Sequence, residues 1–320
     1  MLPRRMREPS PLIHDRFLEL DRLVVRPRPA GSISVTVGRG ERLVILGEAR
    51  TGKTALLRAL AGFLAPDAGD IRLGGRSILP EKPERRGVAL IPARDTLFPH
   101  RSLRDNLLFA LRARGLPAAF SRARAVALLA AHGLAAVSGS RPARLSAPQR
   151  RRAEFCRALA AAPLLVLIDS APGEPPAPTL LADADVTVVL ATGDAAAALG
   201  IATRILLLDT QGPVQFGTPY DLYERPSNAY VARFMGPCNL VASPHGLLAI
   251  RPHRMRLDPA GTLRGEVSAV AYQGAVTRVL VATPQGEMTA DLASPPDGAA
   301  TGQTVGLAWD DATAWALPGE

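Results

Sequence analysis

Residues Gly47 to Thr54 have the types and the spacing that bind phosphate groups. They satisfy the pattern G-x-x-x-x-G-K-[ST] and stand between an apolar strand-like segment and a segment of helical character. The two glycines of the pattern allow a tight turn that points backbone N–H groups at phosphate oxygens, and the following helix adds the positive end of its dipole. The pattern predicts that Lys53 reaches the β- and γ-phosphates and that the Thr54 hydroxyl coordinates Mg²⁺. The residues expected to bind nucleotide in this loop are Gly47, Glu48, Ala49, Arg50, Thr51, Gly52, Lys53 and Thr54.

Lysine is rare in this chain, which makes Lys53 informative. The chain has 38 Lys and Arg residues, and two of them, Lys53 and Lys82, are lysines. A lysine ammonium is a compact point charge, whereas the arginine guanidinium is a planar fork. Because a lysine stands where phosphate binding needs the compact charge, a chance glycine-rich turn is the less favoured interpretation.

A carboxylate is expected to complete the metal site. The apolar run from Leu164 to Ile168 is typical of a strand buried inside a parallel sheet, and it ends at Asp169. Beside the phosphate loop, Asp169 would hold Mg²⁺ through water, with Thr54 as the other ligand. An isolated aspartate at a strand end would be explained equally well as structural, and it is the loop that favours the metal role.

The pattern of apolar residues predicts the elements that position these groups. Buried strands alternate with helical stretches, the longest of them at 102–134 and 146–161, which predicts an α/β domain with a mixed, mostly parallel sheet and a helical subdomain. After Gly236, short β segments separated by Gly and Pro predict a small all-β domain. The expected organisation is a flexible N-terminal tail at 1–16, a nucleotide-binding domain at 17–235 and a β domain at 236–320.

Composition limits the other classes of function. The net charge of +9 is almost all arginine spread along the chain, and aromatic residues are 4%, so the aromatic stacking platform of a nucleic-acid binder is not expected. No apolar run reaches the roughly 18–20 residues that span a bilayer, and the N-terminus lacks the apolar core of a secretory signal. Cys156 and Cys238 stand in no paired motif, which predicts free thiols.

Further segments make the chain resemble the ATP-binding subunits of ABC transporters over nearly its whole length. Residues 97–100 read LFPH, as in that family, and residues 145–149 read LSAPQ, which is similar to its LSGGQ signature. Residues 217–226 resemble the GTP…YERP segment that ends this domain in polyamine and iron importers. Residues 305–318 are similar to the small TOBE domain that those importers append.

The resemblance implies a fold, ligands and partners. The fold would be a P-loop NTPase domain of the ABC type with a C-terminal TOBE or OB-like β barrel, and the ligands would be ATP and Mg²⁺. Two ATP-binding subunits, identical or different, would face head to tail, so that Ser146 and Gln149 of one contact the nucleotide of the other. Transmembrane permease subunits, and indirectly a periplasmic solute-binding protein, would be the partners at the cytoplasmic face of the inner membrane. The implied function is import of spermidine, putrescine or a similar small solute.

The chain departs from the family at the groups that hydrolyse ATP. Ser170 stands where the family has the glutamate that activates water, Gly193 where it has a histidine, and Ala93 where it has a glutamine. A positioned general base accelerates a reaction by roughly 10²–10⁴-fold, and a serine hydroxyl is a far weaker base than a carboxylate. We therefore expect a site that binds Mg·ATP but hydrolyses it weakly or not at all.

Four more departures concern the signature, dimer formation, a helix and adenine binding. Pro148 removes a backbone N–H from the signature. The run at 172–176 replaces the turn that joins the two subunits, and the segment from 169 to 186 is about a dozen residues shorter than usual, so that one helix is cut or lost. No aromatic residue follows the first strand, which leaves Arg26 as a candidate to stack on adenine.

Two other interpretations remain open. A fully active homodimeric ATPase would need the substrate or another carboxylate in place of Ser170, and Asp194 and Glu174 are candidate carboxylates. A non-enzymatic regulator would sense nucleotide, or would bind a small ligand such as an oxyanion through Arg251 and Arg256 of the β domain.

Overall fold

The chain folds into two compact units, Met1–Phe216 and Gly217–Glu320. The computed structural model describes residues 16–26, 31–170, 186–244, 246–294 and 299–318. The expected tail at 1–16 lies outside the described residues except for Arg16, which begins the first strand. Within these ranges, no helix is both long enough and apolar enough to cross a bilayer.

The first unit contains two sheets. Its strands are β1 (Arg16–Val24), β2 (Ile33–Gly38), β3 (Arg42–Gly47), β4 (Ala68–Leu73), β5 (Arg76–Ser77), β6 (Val88–Ile91), β7 (Leu165–Asp169), β8 (Thr187–Thr192), β9 (Arg204–Leu208) and β10 (Pro213–Gly217). One sheet has the order β2-β1-β4-β5 and is antiparallel. The other has the order β10-β9-β3-β8-β7-β6, and its strands from β9 to β6 are parallel. The predicted mixed, mostly parallel sheet is confirmed.

The helices of this unit are α1 (Lys53–Ala61), α2 (Leu103–Ala113), α3 (Ala118–Ala131), α4 (Ala147–Ala160) and α5 (Ala195–Ile201). Helix α1 places Leu56, Leu57 and Leu60 in the same hydrophobic cluster as residues of both sheets. The parallel strands β7 and β8 are buried along almost their whole length, as their unbroken apolar runs predict. Helix α1 is therefore fixed by packing on several sides, and its N-terminus is fixed with it.

Helices α2, α3 and α4 form a layer with its own hydrophobic core, which confirms the predicted helical subdomain. Leucines such as Leu107 and Leu129 meet there. Cys156 belongs to the same core, and burial raises the pKa of its thiol to about 12, so it stays protonated and unreactive at neutral pH. Both Cys156 and Cys238 are free thiols, as predicted.

The second unit is built on antiparallel sheets, which confirms the predicted all-β class. Its strands are β11 (Asn239–Ser243), β12 (Gly246–Ile250), β13 (Arg256–Leu257), β14 (Leu263–Tyr272), β15 (Thr277–Thr283), β16 (Gly286–Leu292), β17 (Thr304–Ala308) and β18 (Trp315–Ala316). They form sheets of order β11-β12-β18 and β13-β17-β14-β15-β16. Valines that alternate along β15, including Val279 and Val281, fill the core.

Two short helices precede these strands, α6 (Pro219–Glu224) and α7 (Ala229–Phe234), and they belong to the second compact unit. The division therefore falls at 216/217, whereas a domain boundary at 235/236 was expected. Side-chain contacts across 235/236 explain the difference. The Trp315 indole N–H donates to the Pro226 carbonyl at 3.0 Å, and Arg254 pairs with Glu224 at 2.7 Å.

Arg251 makes the most extensive of these contacts. Its side chain is 4% exposed, and its guanidinium donates to backbone carbonyls of four residues: Tyr223, Ala232, Gly236 and Pro237. The idea that Arg251 contacts an oxyanion ligand is therefore corrected, since its N–H groups already bind the protein backbone. Arg256, the other candidate, is exposed and lies 3.8 Å from the Asp258 carboxylate, so it shows no ligand-specific arrangement.

Substitution Arg251→Met should destabilise the second unit by about 3 kcal/mol or more, because it leaves several buried carbonyls without a donor. Both tryptophans, Trp309 and Trp315, lie in this unit, so urea unfolding of the full chain followed by tryptophan fluorescence reports on it. Arg256→Met is the matched control, and as a surface change it should stay within about 0.5 kcal/mol. Equal effects of the two substitutions would contradict the structural role of Arg251.

Candidate functional site

The sheet topology brings the predicted site residues to one edge of the parallel sheet. The loop at 47–54 follows β3, Gly193 follows β8, Asp169 and Ser170 end β7, and Ala93 follows β6. Because these strands are parallel neighbours, their carboxyl ends lie together. They border a cleft of about 570 Å³ lined by Gly47, Ala49, Arg50, Gly52, Lys53, Thr54, Ala55, Ala93, Asp169, Ser170 and Gly193.

The backbone of the loop at 47–54 depends on its glycines. Gly52 stands immediately before α1 in the left-handed region, with φ of +94°. No side chain accepts a hydrogen bond from the N–H groups of the first turn, so the helix has no side-chain cap. A Cβ on Gly47 would overlap the Leu208 carbonyl oxygen and lie 2.9 Å from the Thr51 hydroxyl. Arg50 also has a positive φ, +68°, which adds to the curvature of the loop. The loop thus presents the uncapped N-terminus of α1 to the cleft, an arrangement that attracts anions.

Lys53 lies across the loop. Its Nζ donates to the Gly47 carbonyl at 2.8 Å and to the Glu48 carbonyl at 2.6 Å. Burial lowers the pKa of Lys53 below its usual value, and the charges of Asp169 and Glu48 oppose that shift. The ammonium is therefore partly desolvated inside the cleft, where it attracts an anion more strongly than it would in water.

Thr54 and Asp169 meet as the sequence predicts for a metal site. The Thr54 hydroxyl donates to the Asp169 carboxylate at 2.8 Å. A hydroxyl and a carboxylate are hard oxygen ligands of the kind Mg²⁺ prefers, usually with water and substrate phosphates as its other ligands. Together with Lys53 and the uncapped helix N-terminus, they fit a magnesium-bound polyphosphate.

Ser170, Gly193 and Ala93, which were expected to replace the family's hydrolytic groups, line the same cleft. The backbone N–H of Ser170 donates to the Ala191 carbonyl at 3.0 Å, which continues the β7–β8 pairing. A Cβ on Gly193 would lie 3.4 Å from the Gly47 carbonyl oxygen, so a side chain there would start beside the loop. Among the described residues that line the cleft, Asp169 supplies the carboxylate, and none supplies an imidazole or a side-chain amide.

Asp194, the candidate replacement base that the structure describes, does not line the cleft. Asp194 is the N-cap of α5, and its carboxylate accepts from the backbone N–H of Ala197 at 3.0 Å. Glu174 and the run at 172–176 lie outside the described residues, as does the shortened segment after 170. The Arg26 guanidinium lies 3.7 Å from the Asp67 carboxylate and does not line the cleft, so nothing in its arrangement marks it as an adenine-stacking group.

Ser146 and Gln149 lie at the start of α4, away from the cleft of their own chain. They form a reciprocal capping box, in which the Ser146 N–H donates to the Gln149 Oε1 at 2.9 Å and the Gln149 N–H donates to the Ser146 Oγ at 3.4 Å. The structure does not bring them together with the loop at 47–54. Pro148 occupies the first turn of the helix, so the turn has one N–H fewer to offer an anion.

Sequence reasoning missed Arg151, which contacts the cleft from α4. Its Nη2 donates to the Asp169 carbonyl at 2.8 Å, and its Nη1 donates to the Pro92 carbonyl at 3.0 Å. The only signal in the sequence is a run of three arginines, Arg150, Arg151 and Arg152. A run of like charges ordinarily indicates a solvated face, and nothing in the run distinguishes its middle member.

Comparison with family models gives two matches. The model described as ABC transporter matches residues 30–172, and the model described as TOBE domain matches residues 248–317. The first match covers the loop at 47–54 and Asp169, and the second covers most of the antiparallel strands of the second unit.

Curated relatives and a solved structure agree with these matches. The chain is 34% identical over 272 residues to the sulfate/thiosulfate import ATP-binding protein CysA of Mycobacterium tuberculosis, covering 77% of this chain and 76% of that protein. It is 34% identical over 249 residues to the spermidine/putrescine import ATP-binding protein PotA of Pseudomonas aeruginosa, covering 75% and 68%. The structure of cbiO1 from Clostridium perfringens, part of the ABC transporter complex cbiONQ, shares the fold with a TM-score of 0.58. It is 19% identical and covers 66% of this chain and 92% of that one.

Nucleotide affinity should fall as the pH rises towards the usual lysine pKa of about 10.4, because burial lowers the pKa of Lys53 and its ammonium loses its proton before that of an ordinary lysine. The unfolded chain binds this proton more tightly than the folded chain does, so the contribution of Lys53 to folding stability rises over the same range. A loss of affinity there is therefore not a loss of fold. Titration of a fluorescent ATP analogue across this pH range measures the effect.

Lys53→Met should remove this pH dependence together with most of the affinity, whereas Lys82→Met should keep both. Lys82 is exposed and is the only other lysine, so it is the matched control. An affinity that stays constant to about pH 10 would contradict a role for the Lys53 charge.

Proposed function

Because this chain belongs to the ABC transporter family of ATP-binding subunits, we propose that it is the nucleotide-binding subunit of an importer that acts through Mg·ATP binding, with weak or absent hydrolysis at its own site. Its partners would be transmembrane permease subunits and a second ATP-binding subunit, identical or different. The chain would lie at the cytoplasmic face of the inner membrane, and a periplasmic solute-binding protein would deliver solute to the permease.

One observation supports this proposal: among the described residues, the lining of a single cleft contains the groups expected to bind Mg·ATP, and the groups expected to hydrolyse it are not among them. Gly47, Lys53, Thr54 and Asp169 supply backbone donors, a cation and metal ligands. The same lining contains Ser170, Gly193 and Ala93, which would stand at the positions of the family's glutamate, histidine and glutamine.

Each retained group has a defined task in binding. The N-terminus of α1 and Lys53 would hold the phosphates by charge and by backbone hydrogen bonds. Thr54 and Asp169 would hold Mg²⁺, which neutralises phosphate charge when bound. The Asp169 carboxylate accepts from the Thr54 hydroxyl and would be a metal ligand, so its expected task lies in binding.

The missing groups act on the step that follows binding. Without the glutamate, the attacking water loses a base, which alone slows hydrolysis by roughly 10²–10⁴-fold. Asp194, the described alternative, holds the N-terminus of α5 and does not line the cleft. This arrangement supports the binding role over the fully active ATPase.

The importer class rests on the C-terminal unit and on the relatives. The TOBE match and two relatives named as import proteins support it. One relative is named for sulfate and thiosulfate, which are anions, and the other for spermidine and putrescine, which are polycations. Both are 34% identical to this chain. Likeness of the ATP-binding chain therefore supports the class of transporter, and solute choice belongs to its partners. Ser146 at the start of α4 would complete the site of the second subunit.

The purified full chain should bind Mg·ATP and turn it over at least ~10²-fold more slowly than the ~1–10³ s⁻¹ typical of enzymes. Nucleotide affinity and single-turnover hydrolysis, measured on one preparation, test both halves of the proposal. Lys53→Ala should abolish the binding, and Lys82→Ala should leave it intact.

Restoring the missing groups gives a sharper test. The double substitution Ser170→Glu and Gly193→His should raise single-turnover hydrolysis by roughly 10²-fold or more while changing affinity little, since it returns a base to the cleft. The single substitution Gly193→His, which returns no carboxylate, is the control. Ordinary turnover by the unmodified chain would refute the proposal of weak hydrolysis, and an absence of nucleotide binding would refute the proposal as a whole.

A further inference from the structure

Arg151 joins helix α4 to the metal half of the cleft. Its guanidinium donates 2.8 Å to the backbone carbonyl of Asp169 and 3.0 Å to that of Pro92, so one side chain holds the ends of both β7 and β6. The Asp169 carboxylate accepts from Thr54 at 2.8 Å. Asp169 is therefore held at both ends, by α4 through its carbonyl and by α1 through its side chain.

A buried carboxylate on the same helix fixes Arg151. Glu154 lies one turn further along α4 and forms an ion pair with Arg151 at 3.1 Å. The side chains of Glu154 and Arg151 are 4% and 15% exposed. The other oxygen of Glu154 accepts from the backbone N–H of Thr96 at 2.7 Å and from its hydroxyl at 2.8 Å. A buried anion needs such donors, and the full set leaves the Arg151–Glu154 pair little freedom.

The segment after Ala93 belongs to the same network. Arg157, a further turn along α4, donates to the Thr96 carbonyl and to the Thr96 hydroxyl, each at 2.7 Å. Its guanidinium also lies 5.6 Å from the ring centre of Phe98. Side chains from successive turns of α4 thus bind the 92–98 segment on one side and the end of β7 on the other.

We propose that Arg151 is a positioning residue that fixes Asp169 for metal binding, so that the Mg²⁺-dependent part of nucleotide affinity depends on how α4 is seated. This inference rests on the proposed nucleotide site. Ala93 lines the cleft but has no polar side-chain atom to bind a group there, whereas Arg151 binds the ends of β6 and β7 from the neighbouring helix. Ser146 is the N-cap of α4. A displacement of that end of the helix would therefore move Asp169 through the hydrogen-bonded side chain of Arg151.

The chemistry separates this role from a purely structural one. Phosphates would be held mainly by Lys53 and the loop at 47–54, whereas the metal would be held by Thr54 and by Asp169, whose backbone carbonyl accepts from Arg151. Loss of Arg151 should therefore weaken binding in the presence of Mg²⁺ and spare binding in its absence. A general loss of structure would weaken both.

The experiment compares the unmodified full chain with Arg151→Met by titrating ATP in Mg²⁺ and in EDTA. Partners that orient a metal ligand typically contribute 10–100-fold to metal affinity, so we expect a loss of about 10-fold in Mg²⁺ and little change in EDTA. Mn²⁺ binding in the presence of ATP, followed by electron paramagnetic resonance, measures the metal directly and needs no turnover. Arg151→Lys, which keeps the charge but not the forked geometry, should give an intermediate loss.

Arg152→Met is the matched control. Arg152 is the next residue of α4 and reaches the His132 carbonyl at 3.5 Å, with no contact to Asp169. It should leave both affinities unchanged. If Arg151→Met does not fold, as judged by thermal melting, Glu154→Gln carries the test, because it keeps the shape of the pair and removes the charge that fixes Arg151.

The outcomes distinguish this inference from the proposed function. Equal losses in Mg²⁺ and in EDTA, or no loss in either, would overturn the positioning role while leaving the nucleotide site in place. An unmodified chain that binds no ATP under either condition would overturn the proposed function itself. A loss confined to Mg²⁺ in the Arg151 variants, absent in Arg152→Met, supports the inference.

Discussion

The site depends on the parallel pairing of β3, β8, β7 and β6. In register, Leu46 faces Thr192, Asp169 faces Ala191, and Ile91 faces Ile168, so these four strands end at nearly the same level. Every residue that follows a strand end is thereby delivered to one edge, where backbone N–H groups, a lysine and a carboxylate share a cleft. The remaining elements preserve this alignment: α1 packs between the sheets, and α4 holds the ends of β6 and β7 together.

In this cleft, the groups that attract phosphate differ from the side chain that would accept a proton from water. Partial charges of the helix terminus and the desolvated Lys53 are fixed by the fold and attract phosphate whether or not hydrolysis follows. A proton acceptor for water is a single side chain, and exchanging it for serine disturbs neither the strand pairing nor the loop. The backbone contact of Ser170 with Ala191 is the one that any residue would make. Loss of hydrolysis is thus compatible with a stable fold and an intact binding surface.

Much of the fold and of the cleft could be predicted from the sequence, because the relevant signals are local. The phosphate loop is eight consecutive residues, and β7 is an apolar run that ends in aspartate. The parallel order of the strands then brings these two segments to the same edge of the sheet. Arg151 and Arg251 could not be predicted. Each donates to backbone carbonyls far along the chain, 59 residues away for Pro92 and 28 for Tyr223. Every residue has a backbone carbonyl, so the residue types do not indicate which carbonyl an arginine binds.

The close approach of Gly47 to the Leu208 carbonyl has an evolutionary consequence. Any side chain at this position would collide with the end of β9, so glycine is required by packing even in a lineage that no longer uses ATP. Lys53 carries no such requirement, since its contacts are with loop carbonyls that face the cleft. Packing therefore requires glycine at 47 whether or not nucleotide binds, whereas a change at Lys53 removes a charge from the cleft without a collision between strands.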